Sequence, residues 1–168
     1  MMMPNGPSGL VAIDIGAKGP ALSVSSACAS SSDGIGLALQ YIRNGIADVI
    51  LAGGAEATIC SVGVAAFDRL GAMSRRNVDF SMTPQPFDRN RDGLVMGEGS
   101  AVLVLEDLDT ARARGANILA ELASYGVTGD AFHITAPNED GTGGAVAMRQ
   151  ALQMAELDIS EVDYINAH

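Results

Sequence analysis

Two thiols and two imidazoles carry the most reactive side chains of the sequence: Cys28, Cys60, His133 and His168. Cys28 stands in Val24-Ser25-Ser26-Ala27-Cys28-Ala29-Ser30-Ser31-Ser32-Asp33-Gly34, where a strand-like stretch stops and a helix-like stretch begins. The thiolate is the nucleophilic form, and a thiol of ordinary pKa near ~8.5 gains thiolate character on the positive end of a helix. That position makes Cys28 a candidate nucleophile, against the alternative that it is a buried structural thiol, the commoner state of free cysteine. A nucleophilic cysteine works with a base or a hydrogen-bond donor, most often histidine. His168 follows the apolar Tyr164-Ile165-Asn166-Ala167 and would emerge at a strand's carboxyl end, where α/β proteins place their sites. His133 falls in a predicted loop and reads as a surface or packing residue, and Cys60 reads as a small buried hydrophobe.

Other clusters carry weaker chemistry. Asp88-Arg89-Asn90-Arg91-Asp92-Gly93 matches the first half of a calcium-binding EF-hand loop. The loop's bidentate glutamate would fall on Gly99, Glu98 comes one place early, and Pro84 and Pro86 occupy the entering helix. Asx turns with arginine pairing account for the same residues, and no metal is expected. Gly53-Gly54 and Gly97-Glu98-Gly99 lack the spacing of a phosphate-cradling loop and suit close packing instead. Arg69, Arg75 and Arg76 form the nearest approach to a basic patch, either a solvated turn or a docking surface.

The elements that must hold these residues follow from periodicity. Ile35, Ala38, Leu39 and Ile42 recur at helical spacing before the stop signal Asn44-Gly45, predicting a helix over 30–44. Further helices are predicted over 62–70, 108–114 and 143–156. Strands are predicted over 21–25, 48–52, 100–106, 118–127 and 162–166, the one at 100–106 apolar enough to be covered on both faces. Thr83 to Arg91, with two prolines, is a loop. Strands alternating with helices imply an α/β fold with a largely parallel or mixed sheet.

Composition narrows the function. The 168 residues are 48% hydrophobic, enough for a core, and no apolar run approaches the ~20 residues that span a bilayer. The opening residues lack the basic and apolar regions of a signal peptide, so a soluble cytoplasmic protein with reduced thiols is expected. A net charge of −10 spread along the chain gives no support to nucleic-acid or anionic-membrane binding.

Taken together and in order, Ser26-Ala27-Cys28-Ala29-Ser30, Ala47-Asp48-Val49-Ile50-Leu51-Ala52-Gly53-Gly54-Ala55-Glu56, Phe87-Asp88-Arg89-Asn90-Arg91-Asp92-Gly93-Leu94-Val95-Met96-Gly97-Glu98-Gly99 and Tyr164-Ile165-Asn166-Ala167-His168 resemble a known family. They are similar to the β-ketoacyl-[acyl-carrier-protein] synthases, the condensing enzymes of fatty-acid synthesis, in their chain-elongating form. The resemblance implies a thiolase-like α/β fold, two similar halves packed as a layered αβαβα body. It implies that the fold is incomplete here, with residues 1–115 as the later part of the first half and 116–168 as the start of the second. The family's chain continues past the counterpart of His168 to a buried lysine, a second active-site histidine and a glycine-rich loop, so the 168 residues alone are expected to be inactive.

By the same resemblance Cys28 accepts an acyl chain as a thioester, and decarboxylation of a malonyl thioester supplies the attacking carbanion. His168 corresponds to one of two histidines at the developing oxyanion, Phe67 to a residue lining the acyl pocket, and Thr135 to one near the pantetheine arm. The implied partner is acyl carrier protein, which brings the phosphopantetheine, so no cofactor of the chain's own is expected. A homodimer through Lys18 to Ser25 is also implied. Gly71 departs from the basic residue that many elongating members use for carrier docking, a role Arg69 or Arg75 would have to take. Alternatives are a polyketide ketosynthase domain, then a thiolase, and, from another class, a non-catalytic thiolase-fold partner subunit, against which Cys28 argues.

Overall fold

The computed structural model describes residues 3–168. Helix α1 (Gly6–Ile15) is followed by a 3-10 turn (Ala27–Ala29) that runs into α2 (Ser30–Arg43), then strand β1 (Val49–Glu56) and helix α3 (Ser61–Leu70). A second 3-10 turn (Phe80–Met82), strand β2 (Gly99–Glu106), helices α4 (Leu108–Ala113) and α5 (Thr142–Ala155) and a third 3-10 turn (Ile159–Glu161) complete the order. Among the described residues no helix is long and apolar enough to cross a membrane.

The helices form where local bonding suffices. Helix α2 matches its prediction to within a residue, burying Gly36, Ala38 and Leu39 and ending at Asn44. Asp107 caps α4 by accepting from the Thr110 amide at 3.0 Å. Helix α1 was not predicted; Pro7 in its first turn supplies a φ already suited to a helix where no donor is required.

Strands β1 and β2 make a two-stranded sheet. The Asp107 amide, one residue past β2, donates to the Asp48 carbonyl, one residue before β1, at 3.1 Å, so the pair is antiparallel. The strands predicted over 21–25, 118–127 and 162–166 are not formed: those segments have no regular secondary structure. Their apolar composition suits a strand, but a ladder needs a neighbour to take its N–H and C=O groups, and none pairs with them among the described residues. Nor is β2 covered on both faces: Val102, Leu103 and Val104 are 57%, 49% and 64% exposed. Cys60, expected inside, is exposed as well, at the N-cap of α3.

Spatially the chain forms two compact units, one comprising the chain up to Gly53 with Leu103–His168, the other Gly54–Val102. In the first, the buried apolar side chains among the described residues are those of Ala38, Leu39, Ala52 and Ala111. Half-buried residues 122–126 lie between α2 and α5. The Arg43 guanidinium donates to the Ala123 carbonyl at 2.7 Å, the Tyr125 ring covers Gly36, and Gly126 abuts the Ala147 carbonyl of α5. The Val127 amide donates to Gln150 Oε1 at 3.2 Å.

In the second unit, a parallel bridge joins Met73 to Leu94. Gly93, at φ 143°, passes so close to Met73 and Ser74 that a Cβ would meet backbone atoms at 2.5 Å. The Arg76 guanidinium donates to the Met82 carbonyl at 2.8 Å, to Gln85 Oε1 at 2.7 Å and to the Asn90 carbonyl, and lies 3.7 Å from Asp92. The proline-bearing loop is thus ordered around one side chain.

Candidate active site

Cys28 is exposed in the middle of the 3-10 turn, two residues before α2 begins its 14-residue run. The turn is tight because Ala27 takes φ 53°, a left-handed conformation that costs a residue with a Cβ about 1–2 kcal/mol. Several bonds hold it there. The Ser26 amide donates to Ser30 Oγ at 2.9 Å, and the Ser30 hydroxyl donates to the Ala27 carbonyl at 2.7 Å. The Ala29 amide closes the turn onto the Ser26 carbonyl at 3.1 Å. The Ser26 hydroxyl then donates to one carboxylate oxygen of Asp33, and the Tyr125 hydroxyl donates to the other.

The electrostatics agree with that geometry. The hydroxyls of Ser26 and then Tyr125 hold the Asp33 carboxyl below the usual carboxylate range. Its charge lies in the first turn of α2, where the helix dipole favours an anion. Burial, with the bond to Asp33 and its charge, pushes the Tyr125 hydroxyl up to about 12. At neutral pH Asp33 is therefore an ionised acceptor and Tyr125 a donor.

The other predicted site residues are less assembled. His168 is exposed, in the same compact unit as Cys28, and among the described residues no hydrogen bond joins the two. Thr135 is exposed in a loop of that unit. Its amide and that of Ala136 donate to His133 Nδ1 at 3.2 and 3.0 Å, so His133 shapes the loop that carries Thr135. Phe67 is half-buried on α3 in the other unit.

Around Asp88 the sequence-predicted Asx turn is present, with the Asn90 amide donating to Asp88 Oδ1 at 2.6 Å. Asp92 accepts from the Ser74 hydroxyl at 2.7 Å and the Arg75 amide at 3.1 Å. These bonds, the hydroxyl's first, and the Arg76 charge hold its carboxyl low. No group of three metal-ligating side chains gathers among the described residues. Arg75 is paired with Asp68 at 2.7 Å, both side chains largely in solvent.

Sequence reasoning missed Ser26, Ser30, Asp33 and Tyr125. Ser26, Ser30 and Asp33 recur at i, i+4 and i+7, a spacing that could have signalled a shared role although Ser26 lies outside the helix. Tyr125 stands 92 residues from Asp33, and no local pattern reports that meeting.

Residues 1–111 match the N-terminal domain of β-ketoacyl synthases, and residues 119–168 the C-terminal domain of the same family. Over all 168 residues the chain is 46% identical to the 3-oxoacyl-[acyl-carrier-protein] synthase 2 of Staphylococcus aureus, of which it spans 41%. A β-ketoacyl synthase crystal structure from Burkholderia phymatum superposes with TM-score 0.92 at 46% identity, covering 99% of this chain and 40% of that one. A type II polyketide synthase acyl-carrier protein in complex with its ketosynthase, bound to a hexaketide, gives TM-score 0.92 at 39% identity, covering 96% of this chain and 40% of that one.

Proposed function

Because the chain belongs to the β-ketoacyl synthase family and has the thiolase-like α/β fold of its structural neighbours over some 40% of their length, we propose that the protein is a decarboxylating condensing enzyme of fatty-acid elongation. The observation that carries the proposal is an exposed thiol on a left-handed turn at the N-terminus of a 14-residue helix.

The Cys28 thiolate attacks the carbonyl of an acyl thioester on acyl carrier protein, forming a new thioester and expelling the pantetheine thiolate. Malonyl-[acyl-carrier protein] then loses CO2, and the electron pair of the broken C–C bond becomes an enolate whose carbon attacks the Cys28 thioester. Cys28 leaves as thiolate, and 3-oxoacyl-[acyl-carrier protein] is released. A soft nucleophile that is also a fair leaving group suits both steps. His168 donates to the developing enolate oxygen, and the Cys28 amide contributes to the hole for the tetrahedral oxyanion. Phe67 lines the acyl channel, and Thr135 contacts the pantetheine arm. The prosthetic group arrives on the carrier protein, and the subunit pairs with a second copy through the region of Lys18–Ser25.

With the native full-length protein, Cys28→Ala is expected to lower condensation of acyl- and malonyl-carrier protein by roughly a thousandfold or more. His168→Ala is expected to slow malonyl decarboxylation while leaving acylation of Cys28 measurable. Retained condensation in Cys28→Ala would discard the proposal. A second reading, polyketide extension, is favoured by the likeness to the type II polyketide ketosynthase complex. Product analysis separates them, since elongation gives one two-carbon extension per cycle with reduction between, whereas a polyketide enzyme gives a poly-3-oxo chain.

A further inference from the structure

A carboxylate with a hydroxyl on each oxygen lies between the nucleophile's turn and a segment almost a hundred residues along the chain, with no part in the chemistry above. Asp33 receives the Ser26 hydroxyl on one oxygen and the Tyr125 hydroxyl on the other. Ser26 lies two residues before Cys28, and its other bonds, from its amide to Ser30 and from Ala29 to its carbonyl, define the turn. Tyr125 is itself fixed. Its ring occupies the space where any side chain at position 36 would stand, so a glycine there lets it lie flat on α2. On either side its segment is tied to α2 through Arg43 and to α5 through Gln150.

We propose that Asp33 and Tyr125 are positioning residues: Tyr125 orients the Asp33 carboxylate, which holds Ser26 and thereby aims the Cys28 thiol. The left-handed Ala27 supplies the reason such a clamp is needed. Residues in sparsely populated backbone regions persist only where their surroundings over-determine them. The local bonds through Ser30 start that task, and the long-range bond from Tyr125 completes it. A tyrosine with its proton held is suited to the part, because it donates throughout the working pH range. The role assigned to Tyr125 rests on the condensing-enzyme reading only for its effect on acyl transfer; its effect on the thiol does not.

Ser26→Ala and Tyr125→Phe remove one hydroxyl from each end of the clamp, and among the described residues the hydrogen-bond path between them runs through Asp33. In the native full-length protein each variant is expected to lower kcat for acyl transfer to Cys28 by about tenfold, with KM within about twofold. The rate of iodoacetamide alkylation at a fixed pH, mapped to the Cys28 peptide, is expected to change by about threefold as the thiol loses its fixed orientation. Because neither substitution removes a charge, that change reports geometry. The double variant is expected to be no worse than either single variant, the signature of a shared path. Additive effects, or a Tyr125→Phe protein with wild-type alkylation and transfer, would overturn the proposal, as would rate losses that track a fall in Tm. A wild-type protein that takes no acyl group refutes the condensing reading alone, and the alkylation rates then still decide the clamp.

Discussion

Tyr125 is the residue whose surroundings most alter its chemistry. Its hydroxyl is raised from the ordinary ~10 to about 12, by burial first and then by the bond to Asp33. A group whose folded pKa lies above its unfolded value adds stability that is complete below the unfolded pKa and disappears as pH rises through the folded one. Wild-type protein should therefore lose stability between pH ~10 and about 12 on this account, a loss that Tyr125→Phe abolishes. Urea unfolding at a series of alkaline pH values would read it, and parallel curves for the two proteins would refute it. Asp33 has the opposite sign: its folded pKa is lowered, so its contribution is complete above the unfolded ~3.9 and is lost as pH falls through the lower folded value. Of these residues only Cys28 could be singled out from sequence, as a candidate nucleophile. Cys28 announces itself by its junction, whereas Asp33 looks like any acidic residue of a first helical turn and acquires its role from a tyrosine that only folding brings near.

At the scale of elements, legibility tracks how local the hydrogen bonds are. Helix α2 could be read from Ile35, Ala38, Leu39 and Ile42 because each of its bonds closes within four residues. The predicted strands over 21–25, 118–127 and 162–166 failed for the converse reason, since apolar residues can favour a ladder but cannot supply its other side. Cys60 failed differently: its residue type suggests the interior, while its place at the N-cap of α3 holds it at the surface. The contact between α2 and the segment at 125 gives a direct test of packing. Gly36→Ala would drive a methyl into the Tyr125 ring, an overpacking expected to cost about 1–3 kcal/mol. Chemical denaturation measures it, and the substitution should also slow Cys28 alkylation through the displaced tyrosine. Wild-type stability in the Gly36→Ala protein would mean that α2 and the segment at 125 do not pack as described.

For the molecule as a whole, apolar surface outruns the core. Among the described residues Ala38, Leu39, Ala52 and Ala111 are the buried hydrophobic ones, while Leu10 is 70%, Ile13 80% and Leu119 90% exposed. Side chains of that size stabilise only when water is removed from them, about 25 cal/mol per Å² of apolar surface. Expressed by itself, the 168-residue chain is expected to bind an apolar dye such as ANS and to self-associate as its concentration rises. A dye-silent, monodisperse monomer in light scattering would contradict this. Docking of acyl carrier protein, the partner proposed above, is testable at the same scale. Arg75 already shares its charge with Asp68, which leaves Arg69 as the better candidate of the two. Reversal of Arg69 to Glu should weaken carrier binding more than reversal of Arg75, as read by titration calorimetry.

The proline-bearing loop of the second unit carries an evolutionary consequence. Two of the acceptors that Arg76 gathers are main-chain carbonyls, at Met82 and Asn90, which every amino acid provides. Selection acting through this guanidinium is therefore blind to the side chains at 82 and 90 and strict at 76. The loop's shape can be inherited while the side chains at 82 and 90 drift, so long as the arginine and its side-chain partners Gln85 and Asp92 are kept.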